Sequence, residues 1–227
     1  MHKAIDGLDD LSDRLLAALP QTQCTKCGYP DCRAYAKAMS IGEALHNQCP
    51  PGGKEGIERL AKILKKEVLA LNPQNGEERP RPVAFIESKA CIGCTLCIQA
   101  CPVDAIVGAS KQMHVVIADW CTGCDLCVPP CPVDCITMIP VTGQATAWDA
   151  WGQDLADLAR KRYESREKRL EREELDNVKR LALKAKSKAK ALDLESAKTD
   201  DEKAEIERKR AIIAAAMARA QEKLQSS

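Results

Sequence analysis

The sequence predicts an α+β chain of three parts. A small helical cysteine module comes first, then a compact region of short strands and cysteine loops, then a long charged α-helical tail. Three observations carry this. All 13 cysteines of the 227 residues lie between positions 24 and 135. The stretch from Cys91 to Ile106 recurs, thirty residues on, from Cys121 to Ile136. After residue 146 the chain has no Pro and no Cys and is dense in Lys, Arg, Glu, Ala and Leu.

Taken in order, residues 1–72 read as the helical module. Leu8, Leu11, Leu15, Leu16 and Leu19 fall at helical spacing before Pro20, and Ile57, Leu60, Ile63, Leu64, Val68 and Leu71 form a second amphipathic run. Residues 73–82 read as a linker, with Pro73, Pro80 and Pro82 barring a helix. Residues 83–145 hold nine cysteines and three β-branched runs, Val83–Ile86, Val115–Ile117 and Ile136–Ile139, that predict small strands. In 146–227, Thr146 caps a helix with Asp149 in its first turn. Trp148, Trp151, Leu155 and Leu158 form one apolar stripe that packs the helix start onto the preceding domain. Thr199-Asp-Asp-Glu202 is a capping box that starts a second helix, with a turn over 192–198. The two helices form a rod or a folded-back hairpin.

Composition narrows the function. No run approaches the ~18 apolar residues of a membrane span. The acidic, polar stretch Met1–Asp13 has no signal-peptide pattern. A formal net charge of +1 gives no general attraction for nucleic acid. No glycine-rich nucleotide fingerprint or P-loop is present, so neither NAD nor ATP has a site here, and no catalytic base or nucleophile stands out. An odd number of cysteines without an export signal reads as metal ligation and not as a disulfide framework.

The repeat carries C-x2-C-x2-C-x3-C-P twice: Cys91, Cys94, Cys97, Cys101-Pro102 and Cys121, Cys124, Cys127, Cys131-Pro132. Three thiolates at this spacing reach three corners of one cubane when the chain wraps it as a tight loop, with backbone N–H groups aimed at sulfur. Gly93 and Gly123 permit the close wrap, and Pro102 and Pro132 fix the turns. The fourth cysteine points away and serves the other cluster. One [4Fe–4S] cluster therefore takes Cys91, Cys94, Cys97 and Cys131. The other takes Cys121, Cys124, Cys127 and Cys101. Structural zinc instead favours two C-x2-C pairs set a dozen or more residues apart. Over residues 83–141 the chain resembles the bacterial two-cluster ferredoxins. Cys135, the thirteenth cysteine, reads as a small buried hydrophobe beside a cluster, with a redox-sensing thiol as the alternative.

Cys24, Cys27, Cys32 and Cys49, spaced C-x2-C-x4-C-x16-C, suit one [4Fe–4S] cluster or one zinc ion. The string from Leu19 to Cys32, Gly42-Glu-Ala, and Cys49-Pro-Pro-Gly-Gly resembles the iron–sulfur module at the front of the B-subunit family of Rnf-type (Rsx) ion-translocating electron transport complexes. The resemblance covers residues 5–141. It implies that these four cysteines hold a third [4Fe–4S] cluster ahead of a two-cluster ferredoxin domain. With three clusters bound, the formal charge becomes about −5, and potentials on the order of −400 mV are expected. Members of that family begin with a hydrophobic anchor helix. The polar start here predicts a soluble variant, cytoplasmic or peripheral on the cytoplasmic face of the inner membrane.

The expected function is a one-electron relay through three clusters, in the B-subunit role of such a complex. The partners are other Rnf/Rsx subunits or a soluble oxidoreductase, and no nucleic acid is expected. Two alternatives stand beside it: a free soluble ferredoxin serving a cytosolic oxidoreductase, and a cluster sensor or structural zinc module. His2, His46 and His114 lie outside any ligand spacing and read as surface or satisfied polar residues. Lys26, between two ligands, reads as a plain loop lysine, with tuning of the first cluster or guiding a partner as the alternative. The basic stretch Val178–Ala191 reads as a solvated face, with docking to an acidic partner, or to nucleic acid or anionic lipid, as the alternatives.

Overall fold

The computed structural model describes residues 2–193 and 199–225. The chain divides into two compact units, Met1–Arg166 and Glu167–Ser227.

The first unit opens with α1 (His2–Ala17), α2 (Cys32–Ser40) and α3 (Gly53–Leu64). Helix α1 buries Leu15 and Leu16, with Leu19 just beyond its end, against Tyr35, Ala36 and Met39 of α2 and Leu60 of α3. Helix α2 goes beyond the two helices expected here. Its start is set by Asp31, whose side chain accepts from the Ala34 N–H at 2.6 Å. Helix α3 is shorter than its apolar pattern, which runs on to Leu71. Lys65 takes a left-handed φ of 55°, and the Lys66 N–H returns to the Ala61 carbonyl at 3.0 Å. The segment beyond is drawn along the loop at 46–47. His46 Nε2 meets the Glu67 carbonyl at 3.0 Å, and Asn47 Nδ2 donates to the Ala70 carbonyl at 2.7 Å. Val68 is therefore exposed and not on a helix face.

Two small antiparallel sheets follow. The first pairs β1 (Pro82–Ile86) with β4 (Ile136–Pro140), in register Val83 to Ile139 and Ile86 to Ile136. The second pairs β2 (Ile106–Val107) with β3 (Val115–Val116). One-turn helix α4 (Leu96–Ala100) lies between β1 and β2. The sequence repeat reappears in the backbone. Gly93 and Gly123, Thr95 and Asp125, and Asp104 and Asp134 pair at an offset of thirty, and all have positive φ. Val83, Ala84, Ile86, Val103, Ala105, Ile106 and Ile136 form a core around the cysteines of the repeat.

The apolar stripe expected from Trp148 to Leu158 does not lie on one helix. A single turn, α5 (Ala147–Ala150), ends at Trp151, and α6 (Gln153–Asp193) starts afresh after Gly152. Of α6, Ala156 and Ala159 are fully buried in the core and Leu155 and Tyr163 pack against it partly buried, while Leu158 is exposed. A backbone break at Trp151–Gly152 shifts the buried face by one position. Trp148 and Trp151 are both buried in the core around the cysteine repeat, and they also reach the first module. Arg59 of α3 stacks 3.8 Å over the Trp148 ring, and Trp151 Nε1 donates to the Pro20 carbonyl at 3.0 Å. The cap expected at Thr146 is not made. Its hydroxyl donates instead to Glu78 Oε1 at 2.5 Å. Arg166 Nη2 donates to the Gln99 carbonyl at 2.6 Å and faces Asp104, fixing the start of α6 on the cysteine region.

The second unit contains the rest of α6 and α7 (Asp200–Gln225). The capping box forms: Glu202 N–H donates to Thr199 Oγ1 at 3.2 Å, and Thr199 N–H donates to Glu202 Oε2 at 3.1 Å. Lys223 pairs with Glu174, so the two helices fold back as a hairpin and not as a rod. The turn expected over 192–198 lies, from 194 on, outside the described residues. Among the described residues no helix is long and apolar enough to cross a membrane.

Candidate iron–sulfur centres

The first module builds its cysteine loop on buried amides. After Pro20, residues Gln21, Gln23 and Thr25 all take positive φ, so the chain zigzags around its own side chains. Gln21 Nε2 donates to the Leu16 carbonyl, and Gln23 Nε2 donates to Gln21 Oε1 at 3.2 Å. Gln23 Oε1 then accepts the Cys32 N–H at 2.9 Å. This ladder ties the end of α1 to the start of α2 and sets the loop that carries Cys24 and Cys27. Neither Gln is a ligand, and a ligand-spacing search passes over both. The only hint in the sequence is a polar Gln-Thr-Gln run where a helix has just ended. Cys49 enters from the other side, ahead of a tight Pro50–Gly52 turn. Tyr35 braces it: its hydroxyl donates to the Leu45 carbonyl at 2.7 Å and accepts the Gln48 N–H at 3.1 Å.

All four cysteines of this module are buried. Burial raises Cys27, Cys32 and Cys49, and the neighbouring thiols raise them further. Cys24 and Cys32 act on Cys49, and Cys24 and Cys27 act on Cys32. Cys27, Cys32 and Cys49 resist becoming thiolates together unless a cationic group lies among them. That is the behaviour of a set made to be neutralised by metal.

In the ferredoxin region the mutual effects cross between the repeats. Burial pushes Cys124 and Cys127 up to about 12, and both feel Cys101, which belongs to the other repeat in sequence. Cys101 is raised by burial and by Cys121. Cys97 is raised by burial and by Cys94 and Cys91. Backbone N–H groups face the sulfurs in matched pairs. Those of Val103 and Ala105 lower Cys101, and those of Val133 and Cys135 lower Cys131. The Ala105 N–H lies 3.2 Å from Cys101 Sγ. Among the described residues no three Cys, His, Asp or Glu side chains close on a point as they would around a single ion. The cysteines are linked by mutual charge and not by convergence on one atom, and Cys131 meets the first repeat through Cys135, which feels both Cys131 and Cys91.

Cys135 is buried with its Sγ 3.5 Å from Cys131 Sγ. Burial and the Cys131 sulfur push Cys135 up to about 12. Burial also opposes ionisation of Cys131, but its N–H donors outweigh that and hold it below the ordinary thiol value. Cys131 is thus the natural thiolate of the pair, and Cys135 remains a thiol.

The glycines of the motif answer to protein backbone. A Cβ at Gly93 would lie 2.4 Å from the Gln112 nitrogen, and one at Gly123 would lie 2.6 Å from the Pro82 carbonyl oxygen. Gly123→Ala should lose roughly 1–2 kcal/mol from the left-handed φ alone, and more from the clash with Pro82. Gly143→Ala, at a φ of +59° with nothing near, should carry only the first cost. Thermal melts of the two variants check the difference. Of the two prolines, Pro102 is buried and Pro132 is exposed.

The loop of the first module meets the loop of the second repeat. Thr122 Oγ1 donates to the Thr22 carbonyl at 3.0 Å. Lys26 Nζ pairs with Asp125 Oδ2 at 2.7 Å, and Arg79 shares that carboxylate. Lys26 is thus no plain loop lysine. His46 and His114 are both buried, so of the two readings, surface or satisfied polar, the second applies: His46 Nε2 meets the Glu67 carbonyl and His114 Nδ1 lies 3.2 Å from Cys97 Sγ.

This combination defines a class: a two-cluster ferredoxin with an added four-cysteine module, an iron–sulfur protein of electron transport. Residues 84–138 match the 4Fe-4S dicluster domain family, and residues 19–51 match an Fe-S cluster family. The B-subunit of the ion-translocating oxidoreductase complex of Azoarcus sp. (strain BH72) is 61% identical over 140 residues, which is 62% of this chain and 76% of that protein. Its counterpart in Thiobacillus denitrificans is 59% identical over 138 residues, 61% of this chain and 73% of that protein. That of Alkalilimnicola ehrlichii is 53% identical over 152 residues, 66% and 81%. The chain belongs to the B-subunit family of ion-translocating oxidoreductase complexes, the Rnf type. No solved structure matches it.

Proposed function

We propose that the chain carries electrons within an Rnf-type complex and holds three [4Fe–4S] clusters in a fixed order. The domains are 1–72 and 83–145, joined by 73–82 and followed by the helical tail 146–227. Cys24, Cys27, Cys32 and Cys49 hold one cluster. Cys121, Cys124, Cys127 and Cys101 hold the next, and Cys91, Cys94, Cys97 and Cys131 the last. When bound, such clusters supply one-electron transfer without a substrate site on the protein.

The observation that carries the order is the meeting of ligand loops. Thr22 and Lys26 flank Cys24 and contact Thr122 and Asp125, which flank Cys124. Cys127 in turn feels the charge of Cys97. The second-repeat site therefore stands between the other two. At the outer end Cys91 and Cys94 are partly exposed, and Ile92, Leu96 and Met113 are exposed around them. That is an apolar surface of the kind a redox partner covers. Residues 1–166 do the carrying, and no step needs an acid, a base or a nucleophile.

The partners proposed are the other subunits of the complex, with attachment at a membrane surface through them. Anaerobic affinity purification of the full chain tests this. Co-purification of integral membrane subunits is the expected result. Recovery of soluble flavoenzymes or iron–sulfur enzymes alone would favour a free ferredoxin instead.

A further inference from the structure

We propose that His114 is a positioning residue for one cluster only, donating a hydrogen bond from Nδ1 to the Cys97 sulfur and raising the potential of the cluster that Cys97 holds. The inference rests on the ligand set proposed above.

His114 immediately precedes β3, between exposed Met113 and exposed Val115. The strand alternation turns its ring inward, where the residue is 2% exposed. Nδ1 lies 3.2 Å from Cys97 Sγ. The ring fits because residue 108 is a glycine: a Cβ there would lie 2.4 Å from His114 Cδ2. Nε2 is buried without a hydrogen-bond partner among the described residues. That settles where a neutral ring keeps its proton. On Nδ1 the proton has a sulfur acceptor. On Nε2 it would be a buried donor with nothing to receive it, the costlier arrangement.

The repeat makes the placement specific. Cys97 corresponds to Cys127, so His114 corresponds to Gln144, which lies in an exposed turn. Two sites built from one repeated motif thus differ in their side-chain donors: the outer one has His114 at Cys97, and the Cys135 thiol at Cys131 where the first repeat has Ala105. Reduction adds one electron, and so one negative charge, to a cluster and its thiolates. A donor at a ligand sulfur stabilises that charge and raises the potential. The outer site is then the better electron acceptor of the two ferredoxin sites, which favours flow outward from the first module.

The test uses the full chain, reduced in steps and followed by EPR. In His114→Phe, which fills the space without a donor, one cluster should shift to lower potential at unchanged iron content. The shifted signal should be the one that Cys97→Ser alters. His114→Asn, whose amide nitrogen can occupy the Nδ1 position, should restore most of the potential. Without any substitution, 15N-histidine labelling should give a nitrogen hyperfine coupling on that cluster alone. Should His114→Phe fail to load the cluster, this labelling decides the matter. Unchanged potentials in His114→Phe, or no histidine coupling in the labelled protein, would overturn the proposal. A chain that binds no iron at all would instead defeat the ligand assignment beneath it.

Discussion

Cys101→Ser should remove the cluster of the second repeat, not that of the repeat in which Cys101 lies. Its spectroscopic losses should match those of Cys124→Ser and differ from those of Cys94→Ser. By sequence Cys101 follows Cys97 on the same helical turn. In the fold its sulfur is a charge neighbour of Cys121, Cys124 and Cys127. Its N–H donors come from Val103 and Ala105, on the departing turn. A serine there replaces a thiolate with a poorer ligand for iron in a buried site. About four of the bound irons should become labile, while the first module keeps its own cluster, since its core of Leu15, Leu19, Tyr35 and Met39 is separate. Iron analysis together with EPR of the three single variants checks the pairing. If Cys101→Ser and Cys94→Ser lose the same signal, the cross-ligation is wrong.

Trp151→Ala should be the most destabilising change outside the ligands, by about 3–5 kcal/mol. The indole is buried in the ferredoxin core, its Nε1 holds the Pro20 carbonyl at 3.0 Å, and Arg81 lies 4.9 Å over its ring. Pro20 opens the loop that leads to Cys24, so one side chain secures the first module to the ferredoxin region. The expected loss is a large part of the about 5–15 kcal/mol that holds a typical domain. Trp151→Phe keeps most of the apolar contact and gives up the hydrogen bond, leaving the Pro20 carbonyl unpaired. It should lose about 1–3 kcal/mol. Thermal unfolding followed by the visible absorption of the clusters separates the two effects.

The cysteine repeat and the order of the three parts were legible in the sequence because ligand spacing is local and the capping box is a four-residue pattern. What was not legible depends on contacts distant in the chain. The amphipathic run after Ile57 stops at Lys65 because His46 and Asn47 capture the backbone beyond it, and no glycine or proline marks that stop. The tryptophan stripe has perfect helical spacing, yet Gly152 breaks it, and Ala156 and Ala159 take the fully buried positions while Leu155 packs only partly buried and Leu158 is exposed. Gln21 and Gln23 shape the first cysteine loop by hydrogen bonds that ligand spacing does not show. His114 looks isolated in sequence and reaches Cys97 only because β2 and β3 pair.

One chain holding three cubane clusters on twelve of its cysteines is the claim on which the rest depends. The most direct measurement is iron, acid-labile sulfide and zinc content of the anaerobically purified full-length protein, with Mössbauer spectra of the iron. About twelve iron and about twelve sulfide per chain, all in [4Fe–4S] form, is the predicted result. A colourless protein with zinc and no sulfide would contradict the claim outright. About eight iron, with zinc or free thiols at Cys24, Cys27, Cys32 and Cys49, would contradict it for the first module.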